Sequence, residues 1–350
     1  NYSKMLRNFF HTNFFPRLNL TVKKNSISNI IYQNFNKKIN IKPSHVPHHK
    51  SHIASSYLCS GFKRSIGFSF DGAGDFSSTE IYVCDENKME LIDKVLFPHS
   101  LGVFYQAFTQ FLGFKNYGEE YKVMGLAAYG NPIYKNRVYK LLDLTKKDFF
   151  RLNLKYYSHY KETFSYYQET GSPFFDNLYS SEFENLFGQS RKINEPVNDF
   201  HKDLAASMQE VLEEIVISKL NKINDNYNID SLCLAGGCAF NSSLNGKILK
   251  KTKFKNIYIS PNVGDAGGAI GSALVSSSLL EKKFINKKMI NPFLGPEFSN
   301  EYIKENIIPI ASKTNQNISN HYYENFDELI EKTSELLVNK KIIGWFQDRM

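Results

Sequence analysis

Short apolar runs alternate with glycine-rich turns and with stretches of helical periodicity along most of this chain. Five runs predict strands, at residues 65–70, 78–84, 89–96, 231–235 and 256–260. Three of these strands lead into turns rich in glycine or aspartate, at 71–75, 236–237 and 261–265. Strands interleaved with helices in this way predict an α/β fold. Because α/β folds bind ligands outside their strand ends, these turns are the first place to look for a site.

Apolar residues at helical spacing predict a further set of elements. The predicted helices lie at residues 48–57, 102–112, 196–223, 241–249, 266–274 and 326–338. Residues 1–40 predict one or two short helices, and 341–346 predict a strand. Residues 131–195 are aromatic and polar without a clear period, and we interpret them as an insertion. A length of 350 residues favours two lobes or two domains.

The composition is that of a globular protein with a sizeable core, since 42% of the residues are hydrophobic and 15% aromatic. The 43 Lys and Arg exceed the 35 Asp and Glu by a formal charge of +8. Such an excess can attract phosphorylated ligands, but we interpret it as a solvated surface rich in Lys and Asn. These basic residues are scattered along the chain, whereas nucleic-acid binding needs them clustered with stacking aromatics. We therefore expect no nucleic-acid partner.

Cysteine spacing and the lengths of the apolar runs indicate the cellular compartment in which the protein is expected. The four cysteines are Cys59, Cys84, Cys233 and Cys238. They form no Cys-x-x-Cys pair and no disulfide framework, which is typical of reduced, buried thiols in the cytoplasm. No run approaches the ~20 apolar residues of a membrane span, and the first residues lack a signal-peptide pattern. The chain begins with Asn1 and ends with Met350, and we interpret both ends as cuts.

Two histidines one helical turn apart are the first candidates for chemistry. His48 and His52 share a face of the predicted helix and can chelate one metal ion, although histidines also reach this spacing by chance. Asp71 and Asp265 each follow a predicted strand at a glycine-flanked turn, where each could supply a ligand or merely cap the next element. Two imidazoles with one or two carboxylates suit Fe(II), Zn(II) or Mn(II) with one position open.

The glycine turns are candidates for binding a nucleotide. At Gly236 and Gly237, backbone N–H groups can approach a phosphate or a ribose without a Cβ in the way. A tight turn without a ligand is the alternative there. The turn 71–75 has the pattern of a hairpin, and also the form in which actin-like ATPases hold phosphate and metal. The charged residues of 118–130 either line a polar cleft or belong to a solvated turn.

Five segments taken together resemble the O-carbamoyltransferase family of nodulation-factor and antibiotic biosynthesis. They are HHKSHIAS at 48–55, FDGAGD at 70–75, GEEYKVMGLAAYG at 118–130, AGGCAFN at 235–241 and PNVGDAGGAIG at 261–271. They occur in the family's order. The resemblance implies a two-lobed, actin-like and sugar-kinase-like ATPase fold of the ribonuclease H-like class, related to threonylcarbamoyl-adenosine synthases. Residues 1–130 would be its first lobe and 196–295 its second, while 320–350 would begin an α+β domain that makes carbamoyl adenylate.

The same resemblance implies an activity and a set of site residues. The family moves a carbamoyl group from carbamoyl phosphate to a hydroxyl of a sugar or secondary metabolite. ATP with Mg²⁺ first yields carbamoyl adenylate and pyrophosphate, and transfer follows beside bound Fe(II) or another divalent metal. His48, His52 and Asp71 would be catalytic and would ligate the metal together with Asp265. The nucleotide would be held by Gly72, Gly74, Asp75, Gly236, Gly237 and Asn241.

The chain departs from the family pattern at both ends. The strand and turn bearing Asp and His, and the acidic segment that usually follows, are not found before residue 44, and the general base is expected there. Asp348 stands where the family usually has Gly. We therefore expect the chain alone not to complete the reaction. An actin-like kinase or ATPase that needs neither His48 nor His52 stays open, as does an inactive binding module; a homo-oligomer is also compatible with the sequence.

Overall fold

A mixed five-stranded sheet lies at the centre of the structure. The strands, in chain order, are β1 (Ser65–Gly74), β2 (Ser77–Cys84), β3 (Met89–Leu96), β4 (Leu142–Asp143), β5 (Arg151–Leu152), β6 (Ser165–Tyr166), β7 (Pro173–Phe174), β8 (Ser231–Ala235) and β9 (Asn256–Ile259). The large sheet has the order β3-β2-β1-β8-β9. Neighbours among β1, β2 and β3 run antiparallel, whereas β8 runs parallel to β1, and β9 to β8. The predicted α/β class and all five predicted strands are confirmed.

The computed structural model describes residues 32, 35–38, 45–86, 88–144, 149–161, 165–166, 173–174, 176–281, 284–314 and 319–350. The short helices predicted within residues 1–40 lie almost entirely outside the described residues. The chain divides into two compact units, Asn1–Lys288 and Met289–Met350. Among the described helices, none combines the length and the apolar character that crossing a membrane requires.

Eleven α-helical segments occur in the part of residues 45–350 that the structure describes. They are α1 (His48–Tyr57), α2 (Leu101–Phe111), α3 (Glu120–Ala127), α4 (Lys135–Tyr139), α5 (Ser181–Phe187), α6 (Asp199–Tyr227), α7 (Ser242–Lys251), α8 (Asp265–Glu281), α9 (Asn300–Tyr302), α10 (Ile308–Thr314) and α11 (Phe326–Val338). All six predicted helices are present. The ends of α6 and α8 differ most from the prediction, because α6 begins at its Asn198 cap and α8 continues to Glu281.

The hairpin between β1 and β2 corrects the turn predicted at 71–75. Asp71 to Gly74 belong to β1, with an irregular register between Phe70 and Gly74. The turn itself is made by Asp75 and Phe76, whose φ angles are +46° and +70°. A two-residue hairpin of this hand needs positive φ at both central positions, so the bend falls there and the glycines before it stay extended. Asp71 is thereby held on a strand rather than on a loop.

Alternate residues of β1 face two different cores. Ile66, Phe68 and Phe70 are fully buried in the main core, which α2 and α6 cover. On the opposite face, Gly67 lies against Ile53 of α1, and a Cβ at residue 67 would overlap that side chain. The missing side chain lets α1 lie directly on the sheet, which positions its histidines beside the end of β1.

The predicted insertion contributes several buried side chains to the main core. Phe150, Tyr157 and Phe183 are each at most 1% exposed, and the rings of Phe183 and Phe108 are 5.0 Å apart. Aromatic pairs at this separation stabilise a core beyond the area that they bury. The segment showed no period because its helices and strands are only two to seven residues long.

Strands from both predicted lobes share one sheet. β1, β2 and β3 lie within residues 1–130, and β8 and β9 within 196–295, yet β1 pairs directly with β8. The first compact unit ends at Lys288, near the predicted boundary at 295. The assignment of 1–130 and 196–295 as separate lobes stays a prediction.

The second unit, Met289–Met350, contains the predicted helix α11 but not the predicted strand at 341–346. Those six residues form no strand, and Ile342 is fully exposed. A strand needs a neighbour for its backbone N–H and C=O groups, and this stretch has none within the described part of the unit. The prediction of a strand there is wrong for this chain.

His159 predicts how the stability of the first unit depends on pH. The side chain is buried, its Nε2–H donates to the Pro98 carbonyl oxygen at 2.8 Å, and burial lowers the pKa of His159 to about 4 from 6.5. Between these two values the unfolded chain binds a proton that the folded protein excludes, so stability falls as the pH falls. We expect His159→Gln to remove about 2 kcal/mol of the acid destabilisation between pH 7 and pH 4.5. Urea unfolding of both proteins at the two pH values measures this difference, and an unchanged dependence would contradict it.

Candidate functional site

Four side chains converge where β1 ends and α8 begins. His48 and His52 reach this point from α1, Asp71 from β1, and Asp265 is the first residue of α8. Their candidate ligand atoms all lie within 4.8 Å of one another. His52 Nε2 is 3.0 Å from His48 Nε2, 3.1 Å from Asp71 Oδ2 and 3.4 Å from Asp265 Oδ1. The structure thus brings together the four residues predicted as metal ligands.

The β1–β2 hairpin fixes His48. The backbone N–H of His48, at the first turn of α1, donates to Asp75 Oδ2 at 2.7 Å, so Asp75 acts as a cap for a helix that begins after Pro47. Gly74 lies under the His48 ring, where a Cβ would overlap the imidazole. Gly74 and Asp75, predicted as nucleotide-binding residues, therefore have structural roles toward the histidine, and the carboxylate of Asp75 is already engaged.

Glycines in α8 allow this helix to pack closely on α1. A Cβ at Gly271 would overlap the Ser51 carbonyl oxygen and come within 2.8 Å of the Ser55 nitrogen, and a Cβ at Gly267 would overlap the Asn262 carbonyl oxygen. Only glycine permits backbones to approach this closely. This contact matters for the site, because it sets Asp265, six residues before Gly271 on α8, opposite the histidines of α1.

Backbone groups from three elements surround Asp71. Its Oδ1 accepts a hydrogen bond from the Gly72 N–H at 2.7 Å, and a Cβ at Gly237 would lie 3.0 Å from the same oxygen. Its carbonyl oxygen accepts from Ser100 Oγ at 2.9 Å, and Ser100 also caps α2. At Gly102, a Cβ would come within 2.7 Å of the Gly72 nitrogen. Gly72 and Gly237 therefore both adjoin the Asp71 carboxylate.

The electrostatics of the cluster favour a positive charge at its centre. Burial lowers the pKa of His52, but hydrogen bonds with Asp265 and Asp71 outweigh it and raise the pKa to about 9. Burial raises the pKa of Asp71, but His48 and His52 outweigh it and hold the pKa well below its usual range. The hydrogen bond with His52 lowers the pKa of Asp265. Two ionised carboxylates therefore face two imidazoles across a few ångströms.

The donor set fits a divalent cation. Ligands about 2.1 Å from a cation and 90–109° apart are roughly 3.0–3.4 Å from each other, close to the separations from His52. Asp71 Oδ2 is buried, and among the described residues the imidazoles of His52, at 3.1 Å, and His48, at 3.7 Å, are the groups that face it. Two carboxylates would neutralise a dication, and two imidazoles suit Fe(II), Zn(II) or Mn(II). The alternative interpretation of the cluster is an ion pair without a metal, in which a protonated His52 lies between the carboxylates of Asp71 and Asp265.

His49 lies between the two candidate ligands in sequence but does not join them. Its Nδ1 is 2.8 Å from Ser69 Oγ and its Nε2 is 3.1 Å from the Ser77 carbonyl oxygen, and the ring is 1% exposed. Burial lowers the pKa of His49. This histidine ties α1 to the sheet, so only the pair four residues apart is directed at the carboxylates.

The loop after β8 reaches the same edge of the sheet, because β8 runs parallel to β1. Gly236 has a φ of +87°, and a Cβ there would overlap the Phe70 carbonyl oxygen, so no other residue fits. Asn241, at the end of the loop, caps α7 by accepting from the Leu244 N–H at 2.9 Å. The Asn241 amide also pairs with the Gln209 amide. The Asn241 side chain is therefore directed into the protein interior and not toward a ligand.

Sequence reasoning missed the residues that support this loop and the end of β1. Ser100 could have been found from its position immediately before the predicted helix 102–112, since Ser is a favoured cap. The sequence around Gln209 did not indicate its role. A glutamine beside the apolar stripe of a helix usually lies at the edge of the core, where it has no special partner. The partner of Gln209 is 32 residues away in sequence.

Comparison with known proteins identifies relatives along most of the chain. The family model described as carbamoyltransferase N-terminus matches residues 3–274. An uncharacterized protein of Synechocystis sp. is 37% identical over 312 residues, covering 87% of this chain and 47% of the relative. Nodulation protein NolO of Bradyrhizobium diazoefficiens is 32% identical over 305 residues, covering 86% and 50%.

Among solved structures, full-length HypF in its phosphate- and nucleotide-bound form is similar with a TM-score of 0.36 and 15% identity, covering 74% of this chain and 46% of that one. The chain spans about half the length of the two curated relatives above. The family match covers well over half of the chain and includes all four residues of the His-Asp cluster and the loop after β8. The chain therefore belongs to the carbamoyltransferase family, through the N-terminal domain of that family.

Proposed function

We propose that this chain carries the transfer site of an O-carbamoyltransferase that places a carbamoyl group on a hydroxyl of a sugar or secondary metabolite. The observation that carries the proposal is the convergence of His48, His52, Asp71 and Asp265 at the carboxyl edge of the sheet. Membership of the carbamoyltransferase family supports the chemistry of the transferred group. The similarity to a nodulation protein supports, more weakly, an acceptor of the kind that the sequence resemblance implies.

The four residues would hold Fe(II) or another divalent metal. Such an ion, when bound, polarises the carbamoyl carbonyl and offsets the charge that develops on its oxygen. The chain's own contribution is the fixed geometry: α1 is capped by Asp75, and Asp71 is held by the backbone of Gly72. The Asp265 side chain is 76% exposed and that of His52 is 1% exposed, so substrates would approach from the Asp265 side.

The donor of the carbamoyl group would be carbamoyl adenylate, made from carbamoyl phosphate, water and ATP with Mg²⁺, with release of inorganic phosphate and pyrophosphate. We assign the adenylate to the loop after β8, where Gly237 adjoins the Asp71 carboxylate. The N–H of Gly236 donates to the Val263 carbonyl oxygen at 2.8 Å and fixes the start of this loop. A two-lobed actin-like fold is part of the proposal, and the sheet that combines an antiparallel meander with two parallel strands supports one such lobe. Because the chain spans about half of its relatives, the complete reaction is proposed for the protein of the full reading frame.

Metal dependence of the two half-reactions tests this function. Protein from the full reading frame would be stripped with a chelator and assayed anaerobically with ATP, Mg²⁺, carbamoyl phosphate and hydroxyl acceptors, with and without added Fe(II), Mn(II) or Zn(II). We expect pyrophosphate release in every sample, because it precedes transfer, and carbamoylated acceptor only where a transition metal was restored. ADP in place of pyrophosphate would indicate a kinase or ATPase. Equal product from stripped and restored protein would refute the metal-centred transfer site.

A further inference from the structure

A polar network with a buried centre at Gln209, Glu213 and Asn241 connects α6 to the loop after β8 and to the start of α7. Its members are Tyr105, Gln209, Glu213, Asn241, Ser243 and Lys247. Gln209 and Asn241 exchange two hydrogen bonds, Gln209 Nε2 to Asn241 Oδ1 and Asn241 Nδ2 to Gln209 Oε1, each 2.9 Å long. The reciprocal pair fixes both amides in one orientation. It ties the last residue of the loop to the middle of α6.

Gln209 is completely satisfied within this network. Besides the pair with Asn241, its Oε1 accepts from Tyr105 Oη at 2.9 Å and its Nε2 donates to Glu213 Oε1 at 2.8 Å. An amide has two donors and two acceptor directions, and all four are used. Gln209 is 4% exposed, so it has neither a free group nor access for a ligand. A role for Gln209 must therefore act through its partners.

Glu213 extends the same connection to α7. Its Oε1 accepts from Ser243 Oγ at 2.8 Å, and its Oε2 accepts from Lys247 Nζ at 2.5 Å. The carboxylate is 2% exposed, and a buried charge persists only when it is paired and hydrogen-bonded in this way. Gln209 and Glu213 thus hold the loop end and the first turns of α7 as one rigid piece against α6.

We propose that Gln209 is a positioning residue for nucleotide binding, which it supports by holding Asn241 and with it the loop 236–241. The other end of this loop is fixed by close approach, since Gly236 lies on the Phe70 carbonyl and Gly237 on Asp71. The Ala239 N–H donates to the Gly236 carbonyl oxygen at 2.9 Å, so the loop between the two anchors has one defined shape, which is preorganised only while both anchors hold. This inference rests on the proposed adenylate site, and it changes the role of Asn241 from nucleotide contact to anchor.

The test uses Gln209→Leu and Gln209→Glu in the 350-residue chain. ATP is the probe, and calorimetric titration measures its affinity. Leucine keeps the volume but leaves the Asn241 amide unsatisfied, and glutamate replaces the donating N–H₂ with an oxygen that faces Asn241 Oδ1 and Glu213 Oε1. We expect both variants to bind ATP at least tenfold more weakly and to exchange the amide hydrogens of 236–244 faster. Their divalent-metal content should equal that of the wild type.

Glu210→Gln is the matched control, because Glu210 is the next residue of α6 and pairs with Lys135 at 2.8 Å on the surface. It should leave ATP affinity, hydrogen exchange and metal content unchanged. Faster exchange in the loop with unaltered ATP affinity would overturn the inference, and so would a fall of ATP affinity and metal content together. A wild-type chain that binds metal but no ATP would reject the proposed adenylate site and this inference with it, while leaving the metal site intact.

Discussion

His48→Ala is expected to remove the bound divalent metal and to abolish carbamoyl transfer while the protein stays folded. The imidazole supplies one of four converging donors, and its Nε2 lies 3.0 Å from His52 Nε2. Loss of a ligand should weaken metal affinity by at least about 100-fold, since even supporting residues around metal ligands typically cost 10- to 100-fold. The side chain is 27% exposed and lies outside both buried hydrophobic clusters, so truncation should cost little packing. Elemental analysis after dialysis, with urea unfolding of the same preparation, measures both expectations.

His45→Ala is the matched control for this experiment. His45 precedes α1 by three residues, its side chain is 77% exposed, and its nearest carboxylate is Asp75 at 3.7 Å. It is not a member of the four-residue cluster, so its removal should leave metal content and transfer as in the wild type. If His48→Ala retains a full equivalent of metal, the cluster is an ion pair and not a ligand set. If instead it unfolds the protein, the ring has a packing role.

Gly271→Ala should be strongly destabilising and should also reduce metal binding. A methyl group at this position would overlap the Ser51 carbonyl oxygen, which is main chain and cannot rotate away. The helices α1 and α8 would have to separate, and overpacking of this kind costs about 1–3 kcal/mol, with the upper end expected against a rigid backbone. Separation would also withdraw Asp265 from His52. Urea unfolding gives the change in stability, and metal titration of the folded protein gives the change in affinity.

Gly268→Ala distinguishes this packing effect from a general effect of alanine in α8. A Cβ at residue 268 would meet only Ser51 Cβ, at 3.9 Å, which is an ordinary contact. Because alanine is a better helix former than glycine, we expect this variant to be as stable as the wild type or about 0.5–1 kcal/mol more stable. Equal destabilisation by both alanines would contradict the proposed close packing of α8 on α1.

Sequence patterns predicted best the elements whose apolar residues follow a clear pattern over most of their length. The apolar stripe of α6 has helical period, and the apolar runs of β1 and β8 are short, continuous and buried on both faces, so each pattern identifies its element. The strand predicted at 341–346 had the same apolar signal, but a strand also depends on a neighbour, which a local pattern cannot supply. The elements of 131–195 are too short to show any period.

At the site, spacing and strand ends were enough to suggest which four residues converge, because parallel strands bring their carboxyl ends to one edge. Metal binding and the nucleotide roles of the glycines stay predictions. What the sequence could not reveal is which polar residues are engaged internally. Asp75 and Asn241 have the pattern of ligand contacts, yet both act as helix caps. The His48 N–H that Asp75 caps is 27 residues away, and the Gln209 amide that pairs with Asn241 is 32 residues away.

The pairing of β1 with β8 has a consequence for how the nascent chain matures on the ribosome. The meander β1–β3 can form early, but β1 has an open edge until the chain from Gly74 to Ser231 has been made. At typical synthesis rates this interval lasts roughly 8 to 30 s. An apolar strand with unsatisfied backbone groups is a template for aggregation. Asp265 is synthesised later still, after the last strand of the sheet. During translation His48, His52 and Asp71 therefore lack their fourth partner, and the cluster forms only after the sheet is complete.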